Sequence, residues 1–339
     1  MAASRPPRRL SADLSSRTPP QTSTRSRLSR TRSAASAAPE PSKEQQMSTI
    51  AFIGLGIMGS PMAVHLQNAG NTVIGYNRTP DKTKPLVEAG GKAAGSVAEA
   101  VKDADVVAVM VPDSPDVQDV LVGEDGVFAN AKQGTLVIDF SSIRPDVTVE
   151  LAKQAKEKGF RLLDAPVSGG EAGAKNAALS IMVGGAAEDF EAAKPVFDAV
   201  GKTVVHVGPS GAGQTVKAAN QLIVAVNIEA LAEAVVFLEA YGVDMEAALE
   251  VLGGGLAGSS VLNQKKQNML NKSFDPGFRL QLHNKDMGIV TSAAREAGVV
   301  IPAGALVAQL VSAMVAQGDG GLDHSGLLKG VERLSGKTS

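Results

Sequence analysis

A glycine turn, Gly54-Leu55-Gly56-Ile57-Met58-Gly59, follows the apolar run Ile50-Ala51-Phe52-Ile53 and opens a segment, Ser60 to Ala69, of helical composition. Glycines at this spacing are weak evidence alone, but strand, turn and helix in that order match the G-x-G-x-x-G turn that binds a dinucleotide pyrophosphate. Gly54 permits the tight turn, Gly56 lets a phosphate approach bare backbone, and Gly59 lets helix and strand pack closely. The anion then faces the free N–H groups and the positive dipole end of the helix. Leu55, Ile57 and Met58 belong to the same candidate cradle. An ordinary strand-to-helix turn is the competing reading.

From Ile50 to about Gly208 short β-branched runs alternate with helical segments. The strands are expected at Ile50–Gly54, Thr72–Tyr76, Val106–Met110, Leu136–Asp139, Arg161–Asp164, Leu179–Gly184 and Thr203–Val207. The segments between the early strands, Ser60–Ala69, Thr79–Ala89, Val97–Lys102, Pro115–Val122 and Pro145–Lys158, carry helix-forming composition. This alternation predicts an α/β Rossmann domain with a doubly wound, mostly parallel sheet, its ligand at the carboxyl ends of the strands. Beyond Gly208 strand patterns stop. A helix from about Gln214 to Tyr241, closed by Gly242, would be roughly 42 Å long. It is apolar nearly all round, so it is expected to be largely buried. Helices at Asp244–Leu252, about Gln281–Ala297, Pro302–Gln317 and Asp323–Leu334 follow, the first and last capped by their Asp. The expected division is a leader at 1–46, a dinucleotide-binding domain at 47–209 and an all-α domain for substrate binding and oligomerisation at 210–339.

The leader holds eight Arg and one Lys against Asp13, Glu40 and Glu44, is rich in Ser, Thr, Pro and Ala, and has no apolar periodicity. It is expected to be disordered. It reads either as an organelle transit peptide or as upstream sequence ahead of a true initiator at Met47; the second is preferred, because Met47-Ser48-Thr49 runs straight into the first strand. A cytoplasmic location follows from that preference, an organelle from the alternative. Of a net charge of −2 the leader contributes +6, leaving the body near −8. An acidic body argues against a nucleic-acid surface. The uncharged stretch Ala297 to Gly318 is interrupted by Pro302 and Gly304, which favours a buried helix over a membrane span.

The residue ending the second strand selects the dinucleotide in such folds. Asn77-Arg78-Thr79 stands where an acidic residue would accept the ribose hydroxyl. An amide, a guanidinium and a hydroxyl suit a 2′-phosphate, so NADP(H) is preferred and NAD(H) possible. The alternative is that Arg78 stacks on the adenine and either cofactor fits. Cysteine is absent, which removes thiolate metal sites and thiohemiacetal chemistry. Neither tyrosine is followed by lysine at Tyr-x-x-x-Lys spacing, since Tyr76 leads to Pro80 and Tyr241 to Met245. The four histidines, His65, His206, His283 and His324, lie scattered without a metal spacing, so no metal is expected. Lys217 remains. It sits among apolar neighbours, with Asn220 and Gln221 three and four residues on, on the same helical face. A buried lysine needs a partner or a function, and desolvation would lower its pKa into the range of a general acid. A salt-bridged or exposed lysine near a helix start is the plain alternative.

Three blocks, Phe52 to Gly59, Asp164-Ala165-Pro166-Val167-Ser168-Gly169-Gly170 and Gly211-Ala212-Gly213-Gln214-Thr215-Val216-Lys217-Ala218-Ala219-Asn220, appear in order. With them the chain resembles the β-hydroxyacid dehydrogenase family over Thr49 to Gly336. Gly254 to Ser259, Phe278 to Asp286 and Asp323-His324-Ser325 liken it most to members that reduce tartronate semialdehyde to glycerate. The resemblance implies a site between the two domains, with Lys217 as the catalytic lysine. It implies that Ser168, Gly169 and Gly170 hold the substrate carboxylate, that Asn220 or Gln221 supplies an amide, and that Lys285 lies near nicotinamide and substrate. Ser142 falls at the nicotinamide end and Val111-Pro112 on the adenine side. Many relatives carry asparagine where Gln221 stands, so which amide meets substrate stays open. 3-Hydroxyisobutyrate and succinic or glyoxylic semialdehyde chemistry would use the same apparatus, and a dinucleotide-sensing scaffold is the non-enzyme alternative. The apolar long helix points to a homo-oligomer.

Overall fold

Strands of alternating and continuous β-branched residues assemble into one sheet in a computed structural model that describes residues 47–337. The expected disordered leader lies outside the described residues. The strands are β1 (Thr49–Ile53), β2 (Thr72–Tyr76), β3 (Lys92–Ala93), β4 (Val106–Val109), β5 (Leu136–Asp139), β6 (Arg161–Asp164), β7 (Val167–Ser168), β8 (Leu179–Gly184) and β9 (Gly201–Gly208). Their order is β3-β2-β1-β4-β5-β6-β8-β7, with β9 alongside β8. The first six run parallel, in the doubly wound 3-2-1-4-5-6 arrangement whose order reverses between β1 and β4. Beyond β6, β8 turns antiparallel to both β6 and β7, and β9 is parallel to β8.

Helices cover both faces: α1 (Gly59–Asn68), α2 (Lys84–Glu88), α3 (Val97–Val101), α4 (Ser114–Val122), α5 (Val127–Asn130), α6 (Pro145–Glu157), α7 (Gly170–Lys175) and α8 (Ala187–Val200). Adjacent strand residues enter opposite cores, as the pleat requires: Ile50, Phe52, Ala108 and Ile138 pack on one side, Ala51, Ile53, Val107 and Val137 on the other. The expected Thr79–Ala89 helix is split, its first turn a tighter 3-10 turn at Pro80–Thr83. The short β3 and β7 lack the length for a sequence pattern, and α8 carries Pro195 inside it, which hid its helical period.

The remainder is helical: α9 (Ala212–Ala240), α10 (Met245–Gly254), α11 (Ser260–Leu270), α12 (Leu280–Glu296), α13 (Pro302–Ala316) and α14 (Leu327–Leu334). Their core joins Ala225, Ile228, Ala232, Leu249, Met287, Val311 and Leu328. The uncharged stretch considered as a span forms α13, with Val307, Ala308, Val311 and Met314 inside that core. Two expectations need correction. Burial of α9 holds for one side only: Ile223, Phe237 and Tyr241 are 60%, 62% and 74% exposed, because α11 to α14 leave the opposite side uncovered. Asp323 does not start a single helix. Its carboxylate caps a 3-10 turn at His324–Gly326, and α14 begins only at Leu327.

Candidate active site

The site grows from the carboxyl ends of the parallel strands, where the loops after β1, β4 and β5 open toward α9 and α12. In the first loop Gly54 has φ +99°, and a Cβ there would run into the Met110 carbonyl oxygen, while one on Gly59 would strike that of Gly54. Only glycine allows β1, β4 and α1 to approach this closely. Gly56 is exposed, with open space where a Cβ would stand. The N–H groups of Gly56, Ile57 and Met58 have no hydrogen-bond partner among the described residues. Three free donors, a bare approach and the N-terminus of the ten-residue α1 fit a dinucleotide pyrophosphate.

Asn77 braces this turn. Its Oδ1 accepts the Leu55 N–H at 3.0 Å, and its Nδ2 donates to the Thr79 carbonyl at 3.0 Å. The amide therefore ties the end of β2 to the cradle. Arg78 and Thr79 are exposed, and the Arg78 guanidinium lies 3.0 Å from the Asp116 carboxylate of α4, an ion pair it would have to share to hold a phosphate.

Lys217, on the second turn of α9, is buried, and its ammonium donates to Gln221 Oε1 at 3.1 Å. Gln221 Nε2 donates in turn to Asp286 Oδ2 at 2.6 Å, and Asp286 Oδ1 lies 2.9 Å from Lys285 Nζ. Lys285 donates to the Ser142 carbonyl at 2.6 Å and to that of Pro112 at 3.1 Å. One continuous polar chain thus runs from Lys217 to the loops that follow β4 and β5. Burial pushes the Lys217 ammonium down to about 8 and nearby Lys285 adds to the fall; Asp286 opposes it. A lysine so poised is charged at neutral pH yet gives up its proton readily.

Ser142, Ile143, Gln214, Lys217, Ala218, Gln221, Asp286 and Ile289 line one narrow cleft. Of the residues singled out in the sequence, Lys217, Gln221 and Ser142 meet there, with Lys285 and Pro112 bonded at its edge. Asn220 is half-buried and donates at 2.7 Å to Gln221 Oε1, the same oxygen that accepts the Lys217 ammonium, but it is not part of the cleft lining. Ser168, Gly169 and Gly170 sit at β7 and the start of α7, outside the lining of this cleft. The Val111 N–H is held by Ser141 Oγ at 3.0 Å.

Sequence reasoning missed Asp286, Asp164 and Gln214. Asp286 directly follows Lys285, and that adjacent lysine–carboxylate pair was the available signal. It also missed a histidine pair. His283 and His324, 41 residues apart and read as scattered, are both buried with their Nδ1 atoms 3.2 Å from each other. Burial lowers both, and together with His283 it holds His324 down to about 3, so the pair is neutral at physiological pH. Beside them Asp323 accepts from Lys265 at 3.0 Å, from the Gly277, Phe278 and Ser325 N–H groups and from the Ser325 hydroxyl. This cluster fastens the α11–α12 connection behind Gln221, whose carbonyl faces His283 Nε2 at 3.4 Å.

Known proteins resemble this chain along most of its length. Residues 49–208 match the NAD binding domain of 6-phosphogluconate dehydrogenase, and residues 211–331 match the NAD-binding family of NADP-dependent 3-hydroxyisobutyrate dehydrogenase. A 2-hydroxy-3-oxopropionate reductase of Escherichia coli is 40% identical over 286 residues, 84% of this chain and 98% of that protein. An NAD-dependent L-serine dehydrogenase of Pseudomonas aeruginosa is 38% identical over 82% of this chain and 96% of its own length. Among solved structures, 3-hydroxyisobutyrate dehydrogenase of Mycobacterium tuberculosis with L-serine superposes with a TM-score of 0.78 at 34% identity, covering 84% of this chain and 99% of that one.

Proposed function

The chain belongs to the β-hydroxyacid dehydrogenase family, nicotinamide-dependent enzymes that act on CH–OH groups, and from that premise we propose that it reduces tartronate semialdehyde (2-hydroxy-3-oxopropionate) to glycerate. NADPH is the preferred reductant and NADH a possible one. The observation that carries the reading is the buried Lys217 ammonium, lowered to about 8, in the cleft that Ser142 and Ile143 of the loop after β5 also line. When bound, the dinucleotide supplies a hydride to the aldehyde carbon. Lys217 gives its proton to the oxygen that becomes the new hydroxyl and is left neutral, so carbonyl, hydride and proton together make the alcohol. The charge is worth most where water is excluded. Gln221 keeps the ammonium oriented. Ser168 and the backbone N–H groups of Gly169 and Gly170 would hold the substrate carboxylate, and Lys285 fixes the Ser142 loop.

Support for this substrate is the 40% identity to the Escherichia coli reductase along nearly all of that enzyme. Glycerate, L-serine and 3-hydroxyisobutyrate share a carboxylate and a hydroxymethyl group and differ only at C2, which bears hydroxyl, ammonium or methyl. A serine- or 3-hydroxyisobutyrate-oxidising enzyme is therefore the second reading, favoured by the Pseudomonas relative and the Mycobacterium structure. Steady-state rates for tartronate semialdehyde, succinic semialdehyde, glyoxylate, L-serine and 3-hydroxyisobutyrate, each with both cofactors, decide between them. Tartronate semialdehyde with NADPH is expected to give the highest kcat/KM; a better rate with any other acid overturns the assignment, and no turnover at all leaves a dinucleotide-sensing scaffold. The uncovered row of Ile223 and Phe237 on α9 with Tyr241 just past its end supports a homo-oligomer.

A further inference from the structure

Proton donor and hydride donor must be held at one fixed separation, yet Lys217 belongs to α9 and the Ser142 loop to the sheet. Gln214 connects them. Its side chain, 1% exposed, accepts the Ile143 N–H on Oε1 at 3.1 Å and donates from Nε2 to the Ser141 carbonyl at 2.8 Å. The two bonds flank Ser142 and fix the orientation of the amide, since one partner only donates and the other only accepts. Gln214 precedes Lys217 by three residues on the same helical face, and both line the cleft with Ser142 and Ile143.

The helix end that carries Gln214 is itself clamped. Asp164, at the end of β6, accepts the Gly211 N–H at 2.8 Å and the Gln214 N–H at 3.0 Å, so α9 starts from a fixed point on the sheet. Gly213 lies so close that a Cβ there would meet both the Met182 carbonyl and the Asp164 carboxylate. From the other side the loop is tied by Ser141, whose N–H donates to Asp139 at 2.9 Å and whose hydroxyl accepts from Val111.

We propose that Gln214 is a positioning residue that sets the distance between the Lys217 ammonium and the Ser142 loop, and with it the rate of proton-coupled hydride transfer. This rests on the reading of Lys217 as proton donor and of the Ser142 loop as the nicotinamide side. An amide is required because the site offers one donor and one acceptor. A carboxylate in its place would press against the Ser141 oxygen, whereas a neutral carboxylic acid would reproduce both bonds.

Gln214→Ala and Gln214→Glu test this, with melting temperatures recorded for both without ligand. Gln214→Ala is expected to lower kcat at least tenfold while the dissociation constant of NADPH, read by fluorescence titration without substrate, stays within threefold, because the glycine turn is untouched. The emission of the bound nicotinamide is expected to change, since its loop is released. Gln214→Glu is expected to be as slow as Gln214→Ala at pH 8 and to recover at least tenfold, relative to wild type, as pH falls and its side chain takes up a proton. A Gln214→Ala enzyme within twofold of wild-type kcat overturns the proposal. So do two variants that melt well below wild type and match each other at every pH, which makes Gln214 a packing residue only. If wild type turns over none of the acids, the proposed function fails, and the nicotinamide emission alone decides for or against Gln214.

Discussion

Replacing Lys217 with methionine separates what the buried ammonium does for chemistry from what it costs the fold. A lysine whose pKa falls from 10.5 to about 8 has its charged form disfavoured by about 3 kcal/mol. The unfolded chain keeps its proton up to 10.5 and the native protein only up to about 8, so between those values the unfolded state binds more protons and wild-type stability rises with pH. Below pH 8 the full burial cost is present. Lys217→Met removes it, and Gln221 Oε1 keeps the Asn220 donor. The variant is therefore expected to melt a few degrees higher than wild type at pH 7, a gain that shrinks toward pH 10.5. Its reductase activity is expected to fall by about a thousandfold or more, the scale of losing a positioned acid. In wild type the reduction rate at saturating cofactor is expected to fall about tenfold per pH unit above 8, as the ammonium is titrated away, and the reverse oxidation to rise as pH climbs toward 8 and level off above it. Differential scanning calorimetry and pH–rate profiles in both directions measure these effects. A methionine variant that melts lower at pH 7, or that retains the limb near pH 8, refutes the reasoning.

Gly59→Ala is expected to weaken dinucleotide binding at least tenfold in a fluorescence titration, because its Cβ meets the Gly54 carbonyl and drives α1 away from β1. Arg78→Ala is expected to raise the KM for NADPH about tenfold and leave that for NADH within twofold; its exposed pair with Asp116 contributes under about 1 kcal/mol to stability, so the fold is unchanged. Asp323→Asn is expected to cost about 3 kcal/mol in urea denaturation at pH 7, since it leaves Lys265 facing an amide in a buried setting. Burial alone would raise Asp323, but His324, the Ser325 hydroxyl, Lys265 and the Phe278 N–H outweigh it and hold it down to about 2. Its stabilisation is then complete above the ordinary carboxylate range and is lost as pH falls through 2, so the stability difference between wild type and Asp323→Asn in urea denaturation is expected to shrink over that interval.

Local chemistry was legible in the chain itself. The β1–turn–α1 unit, the strand–helix alternation, the long helix from the third block and the isolated lysine on it all follow from glycine sterics, residue period and the cost of burying charge, each set by neighbours within a few residues. The partners of Lys217 were half legible, because Gln221 lies one turn away on its own helix. Asp286 and Lys285 arrive from 69 and 68 residues further on, and no local rule brings α12 beside α9. The same holds for the His283–His324 pair and for Gln214, whose amide looks like one more polar residue until the β5 loop is set against it. The exposed side of α9 shows the limit from the other direction: composition says that the helix is apolar, but which face meets other helices depends on how α11 to α14 pack. Sequence by itself marked most of the long elements, the glycine turn and Lys217 as the candidate donor. Only the tertiary structure decided which amide holds that donor, what lowers its affinity for the proton, and how it is registered against the sheet, because those depend on distances between segments that the chain order does not constrain.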